Sequence, residues 1–167
     1  MKLDPLFKSE NNKLYTLDGI EVAVAGCPVL SAEQCAVQKN GVAGCGVEKV
    51  CAVTLPWSLV GTEEGGYNEE LLAALRDWLK VLEEKELFAF MVPVADKPVG
   101  VAEKAEFTAS MKHCARRIKD CVSVVGFAIP EEVDADLFVA ELSEKHAQYV
   151  FFSRDEKQLG DKKIVFF

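Results

Sequence analysis

The sequence predicts an α/β fold: a mostly parallel sheet of about six strands with flanking helices, preceded by an N-terminal β-hairpin. Three observations lead there. Two apolar runs, Val50–Leu55 and Leu87–Val92, lack polar alternation, as strands covered on both faces do. Between them lies a long segment with helical periodicity, the crossover that a parallel pair requires. Strand-like and helix-like segments then go on alternating to the end of the chain.

The elements follow in order. Lys8–Asn12 reads as polar turn material. Asp18-Gly19 between Leu14–Leu17 and Ile20–Val24 is a hairpin signal. Its second arm leads into a first sheet strand, Glu21–Gly26, which Pro28 ends because proline lacks an N–H. Ser31-Ala-Glu-Gln34 has the form of a capping box and starts a short helix to about Asn40, broken by Gly41, Gly44 and Gly46. Strand Val50–Leu55 stops at Pro56, and Ser58–Tyr67 is a glycine-bearing loop.

Asn68 is an N-cap, with Glu69 and Glu70 in the first turn, where acids are favoured. Leu71, Leu75, Trp78 and Leu82 form the apolar stripe of that helix. The strand Leu87–Val92 stops at Pro93. A helix over 103–119 presents Phe107, Met111, Cys114 and Ile118 on one face. Strand Ser123–Ile129 stops at Pro130, and Asp134 caps a helix to about His146, packed through Leu137, Phe138 and Leu142. Tyr149–Ser153 and Ile164–Phe167 are the last two strands.

The length of 167 residues suits one domain spanning 1–167. A complete eight-fold barrel takes about 250. The net charge of −8 argues against a nucleic-acid partner, because no basic stripe is present to neutralise phosphates. No apolar run reaches about 18 residues, so no membrane partner is expected. The six cysteines show no C-x-x-C pair, and neither His113 nor His146 sits beside them at zinc spacing. No metal or cofactor is expected. The thiols read as reduced packing residues, with a disulfide or a reactive thiol as the alternative. That pattern, and a polar start unlike a signal peptide, lead us to expect a cytoplasmic protein.

In parallel α/β architecture the C-terminal strand ends gather on one rim, and sites sit there. The rim candidates are Trp57, Glu63, Glu64, Asp96, Glu131, Glu132, Ser153, Arg154 and Asp155. Acids beside an aromatic suit a sugar-binding cleft; they also suit the solvated loops of an acidic protein. No G-x-G-x-x-G or G-x-x-x-x-G-K-[ST] supports a nucleotide site, and no G-x-S-x-G elbow supports a Ser-His-Asp triad. His113 and Cys114 are neighbours along a helix and point apart.

Four segments carry a resemblance. LYTLDGIEVAVAG resembles the N-terminal hairpin and first strand of cellulase- and mannanase-like glycoside hydrolases of clan A, family five. VEKVCAVTLPWS resembles their second strand, usually N-x-V-R-I-P-x-x-W. GGYNEELLAALRDWLKVLEEKELFAFMVPV resembles the next helix and third strand. SVVGFAIPEEV resembles the fourth, which in the family reads V-V-G-F-E-L-x-N-E-P. The likeness runs from about Leu14 to Val133 and implies a shortened, degenerate (β/α) barrel.

It puts Glu132 in the position of the general acid/base, with Glu131 replacing an asparagine. From their place on the rim, Trp57, Glu63, Asp96, Glu131 and Asp155 are the expected substrate-binding residues. The family arginine before the second-strand proline and the histidines after the third strand are absent, and the family's nucleophile at the seventh strand has no counterpart here. Retaining hydrolysis needs two carboxyls about 5–5.5 Å apart.

The expectation is therefore a glycosidase-like domain that does not hydrolyse and binds carbohydrate at the strand ends. Two alternatives stand beside it. One is an active hydrolase completed by self-association, with Glu132 as acid/base and a carboxylate such as Glu63 or Asp155 in concert. The other is an unrelated open, doubly wound binding domain. Sheet edges left open in an incomplete barrel are expected to be covered by the N-terminal hairpin or by a second copy, giving a homodimer.

Overall fold

The computed structural model describes residues 2–38, 46–62, 64–160 and 163–167. Three short strands, β1 (Phe7–Glu10), β2 (Lys13–Thr16) and β3 (Glu21–Val22), make an antiparallel sheet in that order. The chain continues through β4 (Val29–Ser31), α1 (Ala32–Val37), β5 (Val50–Pro56), α2 (Trp57–Val60), α3 (Glu69–Glu84), β6 (Phe88–Val94) and α4 (Glu103–Arg117). It ends with β7 (Val124–Ala128), α5 (Ala135–Ser143), β8 (Val150–Ser153), a 3-10 turn over Gln158–Gly160 and β9 (Val165–Phe166).

Strands β4 to β9 form one six-stranded sheet in strict chain order, and every pairing is parallel. A doubly wound sheet reverses its order at a switch point. This one never does. Right-handed crossovers that always step the same way leave every helix on the same face. The sheet is thus an arc of a (β/α) barrel, and the doubly wound alternative does not describe it. Among the described residues β4 and β9 are edge strands and do not pair with each other.

One-sided winding leaves two apolar sheet faces with different covers. The helical side buries Cys51, Val53, Leu55, Met91, Phe127 and Phe151 against Leu72, Leu75, Leu79, Phe107, Met111 and Phe138. The concave side would be the barrel interior. Here the N-terminal sheet closes it: Phe7, Leu14, Val22 and Val24 pack on Val50, Ala52, Phe90, Val150, Phe152 and Val165. Phe90 and Phe152 stack there with centroids 4.1 Å apart, and Phe167 meets Phe90 edge-on at 5.1 Å.

The caps form as the sequence requires. Ser31 and Gln34 make a reciprocal capping box, with bonds of 3.1 and 3.0 Å. The Asn68 side chain accepts from the Leu71 N–H at 3.1 Å, and that of Asp134 from the Leu137 N–H at 2.8 Å. Each satisfies an otherwise orphaned donor of a first helical turn.

Several expectations are corrected. Lys8–Glu10 is strand rather than turn; only Phe7 of β1 is buried, so the strand's solvent face reads as polar. The turn is Asn11-Asn12, both at positive φ, a conformation asparagine tolerates. The first parallel strand is Val29–Ser31, not Glu21–Gly26. Pro28 precedes it, its carbonyl accepting the Ala52 N–H at 2.9 Å. Proline is tolerated at the start of a strand because its carbonyl can still accept.

β6 runs through Pro93 to Val94, with Pro93 buried opposite Leu55. The stripe of α3 is Leu72, Leu75, Trp78, Leu79 and Leu82, with Leu71 only half-buried. α5 stops at Ser143, and its Leu137 is 58% exposed. α1 stops at Val37; Gly41 and Gly44 lie outside the described residues. The five described cysteines are free thiols, four buried and Cys27 half-buried, while Cys45 lies outside the described residues. Among the described residues no helix is long and apolar enough to cross a membrane.

Candidate functional site

The parallel sheet brings the C-terminal ends of β5, β6, β7 and β8 to one lip. The sequence-predicted residues differ there: some brace the lip, the carboxylates Glu64, Glu131 and Glu132 stand exposed, and Glu63 lies outside the described residues.

Trp57 is a brace. It follows β5 directly, and the turn of α2 swings its ring inward, where it is 4% exposed. Its Nε1–H donates to Ser110 Oγ at 3.1 Å, and its ring lies tilted on Phe107 at 5.1 Å. The Lys97 ammonium sits 4.2 Å above the ring. A buried indole needs such a partner for its N–H. Packing and the lysine together leave no open face on which a sugar ring could stack, so Trp57 anchors α4 to the end of β5.

Asp96 also braces. It lies two residues beyond β6 and accepts from the Ser58 N–H at 2.9 Å and from the Ser58 hydroxyl. A carboxylate at the first turn of α2 satisfies a donor there and ties the β5 and β6 lips together. Asp155 is half-buried and shapes the loop after β8. Its Oδ1 accepts from the Lys157 N–H at 3.0 Å, and its carbonyl accepts from the Gln158 N–H at 2.9 Å. Gln158 then spans two strands: Ser153 Oγ donates to its Oε1 at 2.5 Å, and its Nε2 donates to the Pro130 carbonyl at 3.4 Å.

Glu131 and Glu132 are different. Both are exposed on the turn between β7 and α5, and neither makes a hydrogen bond or ion pair with a described residue. Exposed Glu64 is likewise on the lip side, in the loop before α3. Arg154 leaves the end of β8 and lays its guanidinium over the Phe167 ring at 4.4 Å. Cys27 is half-buried on the concave face; burial pushes its thiol up, only partly offset by the Ala52 N–H and by Arg154. It is a poor nucleophile for that reason. Among the described residues no three His, Cys, Asp or Glu side chains gather to hold a metal ion.

A second constellation was not foreseen. Tyr67 stacks flat on His113, 3.9 Å apart and 8° from parallel. His113 Nε2 lies 2.5 Å from Glu69 Oε1, and Arg117 Nε donates to Glu69 Oε2 at 2.9 Å. Tyr67 and His113 line a cleft of about 550 Å³ between α4 and α5, which both histidines of the chain border. The signal was present in α4, where Ala109, Lys112, His113 and Arg116 recur at helical spacing on a face too polar for a helix seam.

No protein-family model matches this chain, and no curated protein does. Solved structures do. An endogalactoceramidase superposes over 97% of this chain and 59% of its own, with a TM-score of 0.63 at 9% identity. A glycoside hydrolase family 5 enzyme from Prevotella bryantii B14 superposes over 84% of this chain and 51% of its own, with a TM-score of 0.51 at 12% identity. The chain thus spans between 51% and 59% of the length of these two structures. The fold is that of the family 5 glycoside hydrolases.

Proposed function

We propose that this chain is a glycosidase-like domain that binds carbohydrate at the C-terminal strand ends without hydrolysing it. The observation that carries the reading is Glu132: exposed, free of any described partner, on the turn that leaves a central parallel strand. A free carboxylate in that place suits a bidentate acceptor for sugar hydroxyls. Glu131 beside it offers the same chemistry.

What surrounds it supports a domain that does not hydrolyse. A retaining or inverting hydrolase sets two carboxyls across the scissile bond. Here the free pair is consecutive in one turn, while Asp96 and Asp155 are engaged in bracing their own loops. With Trp57 buried, the exposed polar groups of the lip, not an indole platform, make the contact. The β4 edge, where Val29 is 53% exposed, is the strand through which a second copy would associate.

The test is calorimetry of the full chain against a glycan panel, alongside hydrolysis assays on aryl-glycosides and β-glucans. Binding without turnover, weakened about tenfold or more in Glu132→Gln, is the expected result, since hydrogen bonds to a charged group contribute about 1.5–3 kcal/mol. Absence of binding across the panel removes the carbohydrate reading. Turnover that vanishes in Glu132→Gln replaces it with the hydrolase.

A further inference from the structure

We infer that the cleft between α4 and α5 is a binding site for a small phosphate-bearing molecule, held by Lys112, Arg116 and Lys145 over the buried imidazole of His146. The site is on the helical side of the sheet and independent of the strand-end lip.

The cleft is a gap between two neighbouring helices. α4 runs for 15 residues and α5 for nine, and the cleft opens between the second half of α4, from Ala109 to Arg116, and the chain from Glu141 to His146 at the end of α5. Nearer the sheet this side is filled by apolar side chains. In a chain of net charge −8, three cations and both histidines line this one opening of about 550 Å³. That volume falls within the ordinary range for small-molecule sites, about 300–1,000 Å³.

His146 is the second observation. It is 6% exposed and stacked on Tyr149, with centroids 5.1 Å apart. Neither of its ring nitrogens bonds to any described residue. Those nitrogens are not sealed from solvent, so they open onto the cleft rather than onto a protein partner. The ring lines the cleft, so a bound ligand is what would meet it. Burial and the nearby Lys119 hold its pKa below the usual imidazole range, so at neutral pH it offers one N–H donor and one acceptor.

The cations are not all committed. Arg116 is exposed and forms no ion pair with a described residue. Lys145 touches only Glu144, at 3.7 Å, with both side chains largely in solvent. Lys112 is held by Glu141 at 2.5 Å. Glu141 and Glu144 also face the opening, so three cations stand against two carboxylates. A guanidinium fork with a lysine point charge is the pattern that recognises phosphate. The Tyr67–His113 stack forms an apolar wall beside it, which favours an ester over the bare ion.

The full chain has only two histidines, so its imidazole NMR signals report the site directly, with His113→Gln to assign them. Inorganic phosphate and glucose 6-phosphate are titrated separately at pH 7 and constant ionic strength, with chloride as the control. The His146 signal should move saturably with both, more tightly with the ester. Arg116→Gln/Lys145→Gln, two exposed positions whose loss leaves the fold intact by circular dichroism, should weaken binding about tenfold or more, or about 1.4 kcal/mol. Equal affinity for the two probes overturns the ester and leaves inorganic phosphate as the ligand. No saturable shift, the same shift with chloride, or undiminished binding in the double variant overturns the site.

Discussion

The side-chain amide of Asn12 donates to the carbonyl of Ile164 at 2.6 Å, joining residues 152 apart in the chain. The same amide reaches the Leu159 carbonyl at 3.2 Å, and the Asn12 carbonyl accepts from the Phe166 N–H at 3.0 Å. The tip of the N-terminal hairpin therefore occupies hydrogen-bonding positions along β9, an edge strand of only two residues whose Phe166 is 47% exposed. An edge that would otherwise invite another chain is covered from within.

Two substitutions separate the parts of that contact. Asn12 has φ +62°, so glycine keeps the turn and removes only the amide, whereas alanine adds left-handed strain. Asn12→Gly should cost about 1–2 kcal/mol in urea unfolding. Asn12→Ala should cost about 1 kcal/mol more. Hydrogen exchange at Val165 and Phe166 should quicken in both. Unchanged exchange there would mean that the hairpin does not hold β9.

The second prediction concerns the closest approach in the sheet. β7 shifts register against β6, so Gly126, not Val125, stands opposite Phe90 and pairs with Val150 of β8. A Cβ on Gly126 would lie 1.7 Å from the Val150 carbonyl oxygen, a backbone atom that cannot swing aside. Gly126→Ala should destabilise by about 3 kcal/mol or more, the range of severe overpacking. Gly160→Ala is the control: its Cβ meets open space and should change stability by less than about 0.5 kcal/mol. Comparable unfolding midpoints for the two variants would refute the constraint.

How much of this was legible follows from which signals are local. Strand Val50–Pro56 and helices α3 and α4 announce themselves because burial on one or both faces writes a period into the residues, and Asn68 and Asp134 mark helix starts by chemistry confined to one turn. β1 was missed because only Phe7 of its four residues is buried, so nothing in Lys8–Glu10 distinguishes strand from turn. Pro28 is a start where the sequence suggests a stop; proline marks a ladder boundary without saying which side of it the strand lies on. The site was less legible than the fold for a related reason. Position along the chain put Trp57, Asp96 and Glu132 near one lip. Whether each side chain turns outward was decided by partners distant in sequence: Ser110 for Trp57, Ser58 for Asp96, and for Glu132 none among the described residues.

The third prediction tests an orphan. The Tyr149 hydroxyl is buried and has no hydrogen-bond partner among the described residues. Burial, with Cys114 and Cys121 nearby, pushes its ionisation well above the ordinary phenol range. Its ring packs on Phe127 at 5.5 Å and fits the core without the oxygen. Removing an unsatisfied buried group recovers its desolvation cost, about 1–3 kcal/mol. Tyr149→Phe should raise the free energy of unfolding by an amount at the lower end of that range. A loss of about 1 kcal/mol instead would show that a buried water or another group satisfies the hydroxyl.

Cys114 makes the stability of the whole domain sensitive to alkali. The side chain is fully buried on α4, and desolvation, with Cys121 nearby, raises its pKa from an ordinary 9.0 to about 12. Cys121 is raised in the same direction, chiefly by burial and then by Asp120. The unfolded chain releases these protons near pH 9, while the folded chain holds them until about pH 12. The unfolded state therefore gains stability as pH rises through that interval. The burial contributes in full below about pH 9 and is lost progressively above it, at up to about 1.4 kcal/mol per pH unit for each thiol. Urea unfolding of the reduced protein at pH 8, 9, 10 and 11 should show this decline. Cys114→Ala should be less stable at pH 8, because it leaves a cavity, yet fall less steeply above pH 9. Parallel curves for the two proteins would mean that Cys114 ionises in the folded state as readily as in the unfolded one.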